Sequence, residues 1–249
     1  MEPRITRAQA LAAAGAAGLS ALLASCGGGG DDEGAVATDA DTVGTTAGAN
    51  PPGAESSTDA ALFDGAPACT ITPEQTEGPF YLEVDAIRSD IRDDRPGTPL
   101  RLLVRVQDAD GCSAVSNVVV ELWHCDAGGA YSGVQGDSAR FLRGAQVTDA
   151  DGIARFTTIY PGWYPGRAVH VHAKVHLDTS RELTTQLYFD DDVTTEAHAV
   201  APYAGRPQRD TLNSTDGIYA GGGRPAPLLT PARDGDGWLG LVTLGIAAG

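Results

Sequence analysis

The sequence is short of positive charge and of aromatic residues. Its 249 residues include 17 Lys and Arg against 33 Asp and Glu, a formal net charge of −16. Such a chain offers no basic surface to neutralise nucleic-acid phosphates, and charge alone would not draw it to anionic lipid head groups. Phe, Trp and Tyr make up only 6% of the residues, so each Tyr and Trp is worth locating. The acidity itself is typical of a well-solvated surface.

Long hydrophobic runs are missing apart from one near the N-terminus. Arg4 and Arg7 precede an Ala-rich run at 8–24, which is short for a membrane span and typical of a signal peptide core. The run ends in Leu-Ala-Ser-Cys, and this ending resembles the bacterial lipobox, in which the cysteine, here Cys26, is lipidated. We therefore predict an exported, membrane-anchored lipoprotein that faces the periplasm or the cell exterior. The alternative is a chance cysteine in an ordinary signal peptide. The two arginines are not adjacent, so both the general and the twin-arginine export routes stay open.

Hydrophobic periodicity is absent from residues 27–66, which are mostly Gly, Ala, Asp, Thr, Ser and Pro. This composition predicts a disordered tether after a signal peptide at 1–26. Residues 67–249 remain as one folded catalytic domain.

The folded part carries strand signals, and no long amphipathic helix or internal repeat stands out. Short apolar or alternating runs are separated by turns rich in Gly and Asp, such as 108–111 and 148–152. The predicted strands are 100–106, 118–123, 153–159, 169–177, 184–189 and 238–246. This succession predicts an all-β fold, a β-sandwich of mainly antiparallel strands with long active-site loops.

Cysteine is scarce, and three cysteines remain after Cys26, so at least one is expected to be unpaired. Export would place them in an oxidising compartment. Cys69 opens the domain and Cys112 lies in a turn, whereas Cys125 ends a buried strand. We predict a Cys69–Cys112 disulfide with Cys125 free and buried, and the alternative is three free thiols.

Three of the five histidines lie in one predicted strand. Because alternate side chains of a strand share a face, His170, His172 and His176 point the same way as Lys174. The opposite face, which we expect in the core, carries Val169, Val171, Ala173 and Val175. Two histidines two residues apart on one face can reach a single metal ion. The alternative is a pair of solvent-facing histidines on an exposed sheet.

Two tyrosines lie in loops that could bring them to this strand. A Pro-Gly-Trp-Tyr-Pro-Gly-Arg turn at 161–167 is stiffened by its prolines, and it delivers Tyr164 and Arg167 beside the strand's start. Tyr131 follows the strand at 118–123 in a Gly-rich loop, where functional side chains commonly lie. On its own it would be no more than a loop tyrosine.

Four motifs occur together and in a fixed order. They are Thr-Pro-Glu-Gln-Thr-Glu-Gly-Pro-Phe-Tyr at 72–81, Leu-Trp-His-Cys-Asp-Ala…Tyr-Ser at 122–132, Pro-Gly-Trp-Tyr-Pro-Gly-Arg…His-Val-His at 161–172 and Thr-Gln-Leu-Tyr-Phe at 185–189. This combination resembles the intradiol ring-cleavage dioxygenases, the family that includes catechol 1,2-dioxygenase and protocatechuate 3,4-dioxygenase. No single motif would be specific by itself.

The resemblance implies a non-haem Fe(III) site held by Tyr131, Tyr164, His170 and His172. Fe(III) is a hard ion that favours anionic oxygen, and a bound cation makes tyrosinate the stable form of tyrosine. Arg167 and Gln186 match the family's active-site arginine and glutamine, and Tyr164 would take part in catalysis by accepting a catechol proton.

The reaction implied is cleavage of a catechol ring by O2, between the two hydroxyl-bearing carbons, to a muconate-type diacid. The expected partners are therefore a small catechol and O2, no nucleic acid, and the membrane only through the lipid anchor. Candidates for the substrate pocket are Pro79, Tyr81 and Trp163, and ordinary packing is the alternative for each.

Other readings of the same residues stay open. One is a β-sandwich binding module that keeps the fold without iron chemistry. Another is a zinc or copper site on His170 and His172, since both metals also bind imidazole. A third is an extracellular adhesion or structural domain, which would need neither Arg167 nor Gln186 near the histidines.

Overall fold

The computed structural model describes residues 59–65, 70–83, 86–134, 138–178, 180–221 and 226–247, and strands dominate these ranges. The strands are β1 Pro99–Asp108, β2 Val119–Trp123, β3 Arg143–Val147, β4 Ile153–Ile159, β5 His170–His176, β6 Glu182–Phe189, β7 Leu228–Leu229, β8 Ala232–Asp234 and β9 Gly237–Ile246. The helices are short: α1 is Asp191–Ala197, α2 is Gly217–Gly221, and single 3₁₀ turns occur at Tyr203–Gly205 and Asn213–Thr215.

The strands form two sheets that pack face to face. One sheet has the order β4-β1-β9-β8 and the other the order β3-β2-β5-β6-β7. All pairings are antiparallel except β1 with β9 and β6 with β7. The predicted β-sandwich is confirmed, and each of the six predicted strands has a counterpart. Strands β3, β7 and β8 were not predicted.

The core lies between the inner faces of the sheets. The predicted core face of β5 is confirmed, because Val171, Ala173 and Val175 are fully buried in the main hydrophobic cluster together with Leu102 and Val104 of β1. Burial of a Val or Leu side chain contributes about 1.5–3 kcal/mol. This face fixes the register of β5 and so fixes which side chains point to the other face.

The outer face of β5 is buried as well, although it carries only polar residues. His176 is 2% exposed, and its Nε2 lies 3.1 Å from the carboxylate of Glu121 on β2. Lys174 forms ion pairs with Glu77 at 2.9 Å and with Glu182 at 3.1 Å. Segment 70–83 therefore covers this face, and the alternative of solvent-facing histidines is wrong.

Residues 59–65 contact the other sheet. Phe63 packs with Leu103 and Ile153, and Asp59 pairs with Arg155 at 2.6 Å. These residues belong to the part of the chain that the sequence suggested as tether, so contacts with the sandwich extend N-terminally of residue 67. Cys26, the predicted lipidation site, lies outside the described residues.

The cysteines separate into two environments. Cys112 is disulfide-bonded. Cys125 is buried with a free thiol, as predicted. Cys69 lies outside the described residues, so its pairing with Cys112 stays a prediction. Within the described ranges, no helix combines the length and apolar character needed to cross a membrane.

Candidate metal centre

Two imidazoles meet on the outer face of β5. His170 and His172 are 2% and 1% exposed, and their Nε2 atoms lie 3.2 Å apart. The Nδ1 of His170 is 2.7 Å from the carbonyl oxygen of Ala168. That carbonyl can only accept, so Nδ1 carries the proton and the lone pair of Nε2 is free to bind a metal.

Both histidines are kept neutral. Burial, followed by the charge of Arg167, lowers the pKa of His170 to about 3. Burial and then the neighbouring His170 lower the pKa of His172 well below its ordinary value. Neutral imidazole is the form that binds metals. The ring of Trp123 stacks on His172 at 4.9 Å with an interplanar angle of 6°, which holds that ring in place.

The turn at 161–167 brings Tyr164 to the histidines, as predicted. The Tyr164 hydroxyl lies 3.2 Å from the Nε2 of His170. A Cβ on Gly162 would collide with the carbonyl oxygens of Asp126 and Ala127, so only glycine fits where the turn packs on the Tyr131 loop. Burial is the main cause that raises the pKa of Tyr164, although the side chain stays partly exposed.

The loop that carries Tyr131 is locked to the same turn. Gly129 has φ of +89°, and a Cβ there would collide with the carbonyl oxygen of Trp163. Arg206 bridges the two segments, since it donates to the carbonyl oxygens of Ala127 at 2.9 Å and of Trp163 at 2.8 Å. The two tyrosine loops are thus held as one unit.

Tyr131 is 6% exposed, and its buried hydroxyl has no hydrogen-bond partner of normal geometry, although the Tyr164 hydroxyl is close enough to affect its pKa. Its ring lies 5.7 Å from that of Tyr164 and 6.2 Å from that of His172, measured between centroids. Burial, and then the proximity of Cys125 and Tyr164, raise its pKa well above the ordinary value. An unpartnered buried phenol costs about 1–3 kcal/mol, and a cation at this position would relieve that cost.

The side chains gathered here offer two phenol oxygens and two imidazole nitrogens as candidate metal donors. In the described part of the chain, no group of three or more His, Cys, Asp and Glu side chains is arranged to hold a metal ion. On this face, tyrosine side chains lie next to the two imidazoles and offer oxygen as a further ligand. These donors fit a hard, highly charged ion better than a zinc site of the usual His, Cys and carboxylate type.

Arg167 lies beside these donors, fixed from several sides. Its guanidinium donates to the Tyr164 hydroxyl at 3.4 Å, to Gln186 Oε1 at 2.5 Å and to the Tyr188 hydroxyl at 3.0 Å. Its Nε donates to the carboxylate of Asp216 at 2.9 Å. The predicted pair of Arg167 and Gln186 is brought together at the site.

Gln186 holds its own position through the N-terminal segment. It is fully buried; its Nε2 donates to the carbonyl oxygen of Thr76 at 2.8 Å, and its backbone N–H donates to Gln75 Oε1 at 3.0 Å. Segment 75–81 continues past the site, where Gly78 lies against the ring of His172 and Phe80 stacks on Tyr131 at 4.5 Å.

The three residues suggested for the substrate pocket occupy different places. Pro79 is exposed in the segment that passes the site. Tyr81 packs behind the centre, where its ring meets Trp123 at 5.0 Å and its hydroxyl donates to Glu121 at 3.3 Å. The ring of Trp163 lies under the guanidinium of Arg206 at 4.6 Å. Substrate contact therefore stays a prediction for each, and the packing seen for Tyr81 and Trp163 is of the ordinary kind.

Sequence reasoning missed several members of the site. Tyr188 lies two residues after Gln186 on β6, so strand alternation could have placed it on the same face. Asp216 is fully buried, and its only local signal was its position just before α2. Phe80 and Trp123 lie inside recognised motifs, but nothing local indicated that they stack on Tyr131 and His172.

Comparison with known proteins agrees with this geometry. A family model described as "Dioxygenase" matches residues 76–215, more than half of the chain. Among curated proteins, catechol 1,2-dioxygenase 1 of Acinetobacter lwoffii is 34% identical over 149 residues, which cover 49% of this chain and 47% of that enzyme. Chlorocatechol 1,2-dioxygenase of Pseudomonas putida is 30% identical over 51% of this chain and 58% of its own length. The chain thus spans about half the length of the curated relatives it matches.

Solved structures agree over a larger share of the chain. An intradiol ring-cleavage dioxygenase from Tetranychus urticae is 30% identical with a TM-score of 0.69, over 72% of this chain and 96% of that one. The dioxygenase domain of a dioxygenase carbohydrate-binding protein fusion from Streptomyces sp. SirexAA-E is 32% identical with a TM-score of 0.55, over 71% and 98%. The chain therefore belongs to the intradiol ring-cleavage dioxygenase family.

Proposed function

We propose that the protein is a non-haem Fe(III) dioxygenase that uses O2 to cleave catechols between their hydroxyl-bearing carbons, which gives muconate-type diacids. The observation that carries this proposal is the convergence of the Tyr164 hydroxyl and the Nε2 atoms of His170 and His172, each 3.2 Å from the next. The unpartnered hydroxyl of Tyr131 on the same side supports it. Relatives named as catechol and chlorocatechol 1,2-dioxygenases support the substrate class.

The residues fit Fe(III). Two tyrosinates would supply the anionic oxygen that this ion favours, and His170 and His172 would complete the ligand set without adding charge. When bound, Fe(III) would draw electron density from a catecholate and make a ring carbon reactive toward O2. The Nε2 of His170 is already free to bind, because its Nδ1 is held by the carbonyl of Ala168.

The remaining polar groups have roles that follow from their contacts. Tyr164 is the more exposed tyrosine, so its oxygen is the one positioned to take a proton from an incoming catechol hydroxyl. Arg167 contacts that oxygen and would stabilise negative charge on the substrate with a guanidinium that stays protonated. Gln186 would fix the orientation of Arg167.

The test is oxygen uptake by the iron-loaded protein. Catechol, chlorocatechol and protocatechuate would be compared with hydroquinone, whose hydroxyls are not adjacent. We expect uptake with one or more catechols, none with hydroquinone, and a visible absorption band from tyrosinate bound to Fe(III). Tyr164→Phe and His172→Ala should each lose the band or the turnover.

His198→Ala is a matched control. His198 is a half-buried histidine that contacts the carbonyl oxygen of Pro161, at the start of the turn, and stacks on Tyr203; its ring contacts none of the four donors. We expect it to keep both the band and the turnover. Full activity in Tyr164→Phe or His172→Ala would contradict the ligand assignment. A colourless protein that binds zinc or copper instead would contradict the proposed metal.

We further propose that the enzyme works outside the cytoplasm as a lipoprotein anchored at Cys26. Support comes from the sequence alone, through the apolar run and the lipobox-like ending at Cys26. Expression of the full chain in a Gram-negative host, followed by separation of membrane and periplasmic fractions, tests this. We expect the wild type in the membrane fraction and Cys26→Ser to lose lipidation. An unlipidated wild type would contradict the proposal.

A further inference from the structure

Arg143 is a buried cation that forms no ion pair with a carboxylate in the described part of the chain. Arg143 is the first residue of β3 and is 1% exposed. Its Nε donates to Ser132 Oγ at 2.9 Å and its Nη2 to the carbonyl oxygen of Ser132 at 2.8 Å. Its Nη1 is buried without a hydrogen-bond partner. A guanidinium stays protonated at neutral pH, so the charge is present.

A buried charge is costly unless an opposite charge offsets it. The serine oxygens that Arg143 contacts are neutral. Glu121 on the adjacent strand β2 directs its carboxylate elsewhere, since it accepts from Tyr81 at 3.3 Å and contacts His176 at 3.1 Å. Glu121 attracts Arg143 more weakly than Tyr131 does and forms no ion pair with it, so the positive charge of Arg143 is only partly compensated by this carboxylate.

Tyr131 is the group placed to supply the remaining compensation. The guanidinium carbon of Arg143 lies 5.9 Å from the centroid of the Tyr131 ring. Ser132, which receives both hydrogen bonds, is the residue next to Tyr131 in the chain. A neutral phenol ring attracts a cation only weakly, whereas an anionic phenolate in a buried site attracts it strongly.

We propose that Arg143 is a positioning residue of the metal centre, which fixes the Tyr131 loop and balances the negative charge of Tyr131 as a ligand. This inference rests on the proposed function, because Tyr131 carries that charge when it binds Fe(III). It follows that the charge of Arg143 destabilises the metal-free protein and stabilises the iron-loaded protein. A residue with a merely structural role would affect both forms alike.

The experiment measures the midpoint of thermal unfolding with and without Fe(III), and the affinity for Fe(III) by competition with a chelator. Arg143→Met removes the charge and keeps the apolar stem. We expect the rise in melting temperature on iron loading to fall by at least half, and Fe(III) to bind at least tenfold more weakly, which is about 1.4 kcal/mol. Arg143→Lys keeps a charge and should restore most of the rise.

Ser132→Ala is the matched control. It removes the hydrogen bond from Arg143 to Ser132 Oγ but leaves the charge in place. It also removes the hydrogen bond that Ser132 Oγ donates to the carbonyl oxygen of Phe141, so we expect it to lower the melting temperature of both forms. Because the charge of Arg143 stays, we expect Ser132→Ala to keep more of the iron-dependent rise than Arg143→Met does.

Several outcomes would overturn the inference. One is that Arg143→Met loses the same stability with and without iron. Another is that Arg143→Met folds only when iron is present. If the wild type shows the tyrosinate band but Arg143→Met binds Fe(III) as tightly as the wild type does, this inference fails and the proposed function stands. A wild type that takes up no Fe(III) would remove both.

Discussion

Replacement of Asp216 with Asn tests how the arginine of the site is held. Asp216 is fully buried and its carboxylate accepts four hydrogen bonds. Oδ2 accepts from the Nε of Arg167 at 2.9 Å and from the backbone N–H of Ala168 at 2.8 Å. Oδ1 accepts from the backbone N–H groups of Ile218 and Tyr219, at 2.8 and 3.0 Å, at the start of α2. All four partners are donors.

An asparagine side chain has one acceptor oxygen and one donor NH2, so two of these four donors would meet an N–H group. A hydrogen bond to a charged group contributes about 1.5–3 kcal/mol, and removal of one partner of a buried ion pair costs about 3–5 kcal/mol. The side chain of Arg167 is 16% exposed and keeps its contacts with Gln186 and Tyr188, which places the cost near the lower limit. We expect Asp216→Asn to lose about 3 kcal/mol of unfolding free energy.

The assay is urea unfolding of the wild type and the variant, combined with steady-state kinetics and the visible spectrum of the iron-loaded forms. Because Asp216 contacts none of the four metal-binding candidates, the tyrosinate band should stay, whereas kcat should fall as Arg167 loses its orientation. A stability loss below about 1 kcal/mol, no more than a typical neutral hydrogen bond, would refute the reasoning. So would a variant with wild-type kcat.

Three further predictions follow from the same geometry. Arg167→Lys replaces a planar guanidinium, which has several fixed donors, with a point charge. We expect kcat to fall at least tenfold and the visible band to be retained. An unchanged kcat would contradict a role for the guanidinium geometry. Gly129→Ala should destabilise the protein by about 2 kcal/mol or more, because the new Cβ would collide with the carbonyl oxygen of Trp163. Gly217→Ala is the control: its new Cβ would have no atom within 4 Å, so the same unfolding assay should show little change in stability. Burial alone would raise the pKa of Asp216, but the hydrogen bonds that its carboxylate accepts lower this pKa below 3.8. Its contribution to stability is therefore complete above pH 3.8 and lost as the pH falls through the lower folded-state pKa, so the stability gap between wild type and Asp216→Asn should narrow in acid.

The sequence predicted most of the sandwich for identifiable reasons, whereas the set of four metal ligands came from the family resemblance and stays a prediction. Alternation along β5 assigns His170 and His172 to one face, and the apolar residues between them fix the other face in the core. The stiff turn and the Gly-rich loop were recognisable in the sequence, but Tyr131 and Tyr164 were assigned as metal ligands only through the family resemblance. The hydrogen bonds that hold Arg167 to Asp216 and Gln186 could not be predicted, because these residues are far apart in sequence.

The features that were missed depend on tertiary contacts. Asp216 is 49 residues from Arg167, and no local pattern links them. Strand β3 reads Arg-Gly-Ala-Gln-Val, which lacks the alternation of a half-buried strand; its first three residues are buried on both faces of the strand and its last two are half-buried. The outer face of β5 carries polar residues, and Lys174 on it is buried between two carboxylate partners, Glu77 of segment 70–83 and Glu182 of β6, which are far from each other in sequence.

The most direct test of the central claim is a crystal structure of the iron-loaded protein, with anomalous scattering measured on both sides of the iron absorption edge. The account predicts one iron peak within bonding distance of the hydroxyl oxygens of Tyr131 and Tyr164 and of the Nε2 atoms of His170 and His172. An iron peak bound by the histidines alone, or a peak located away from these four side chains, would contradict it.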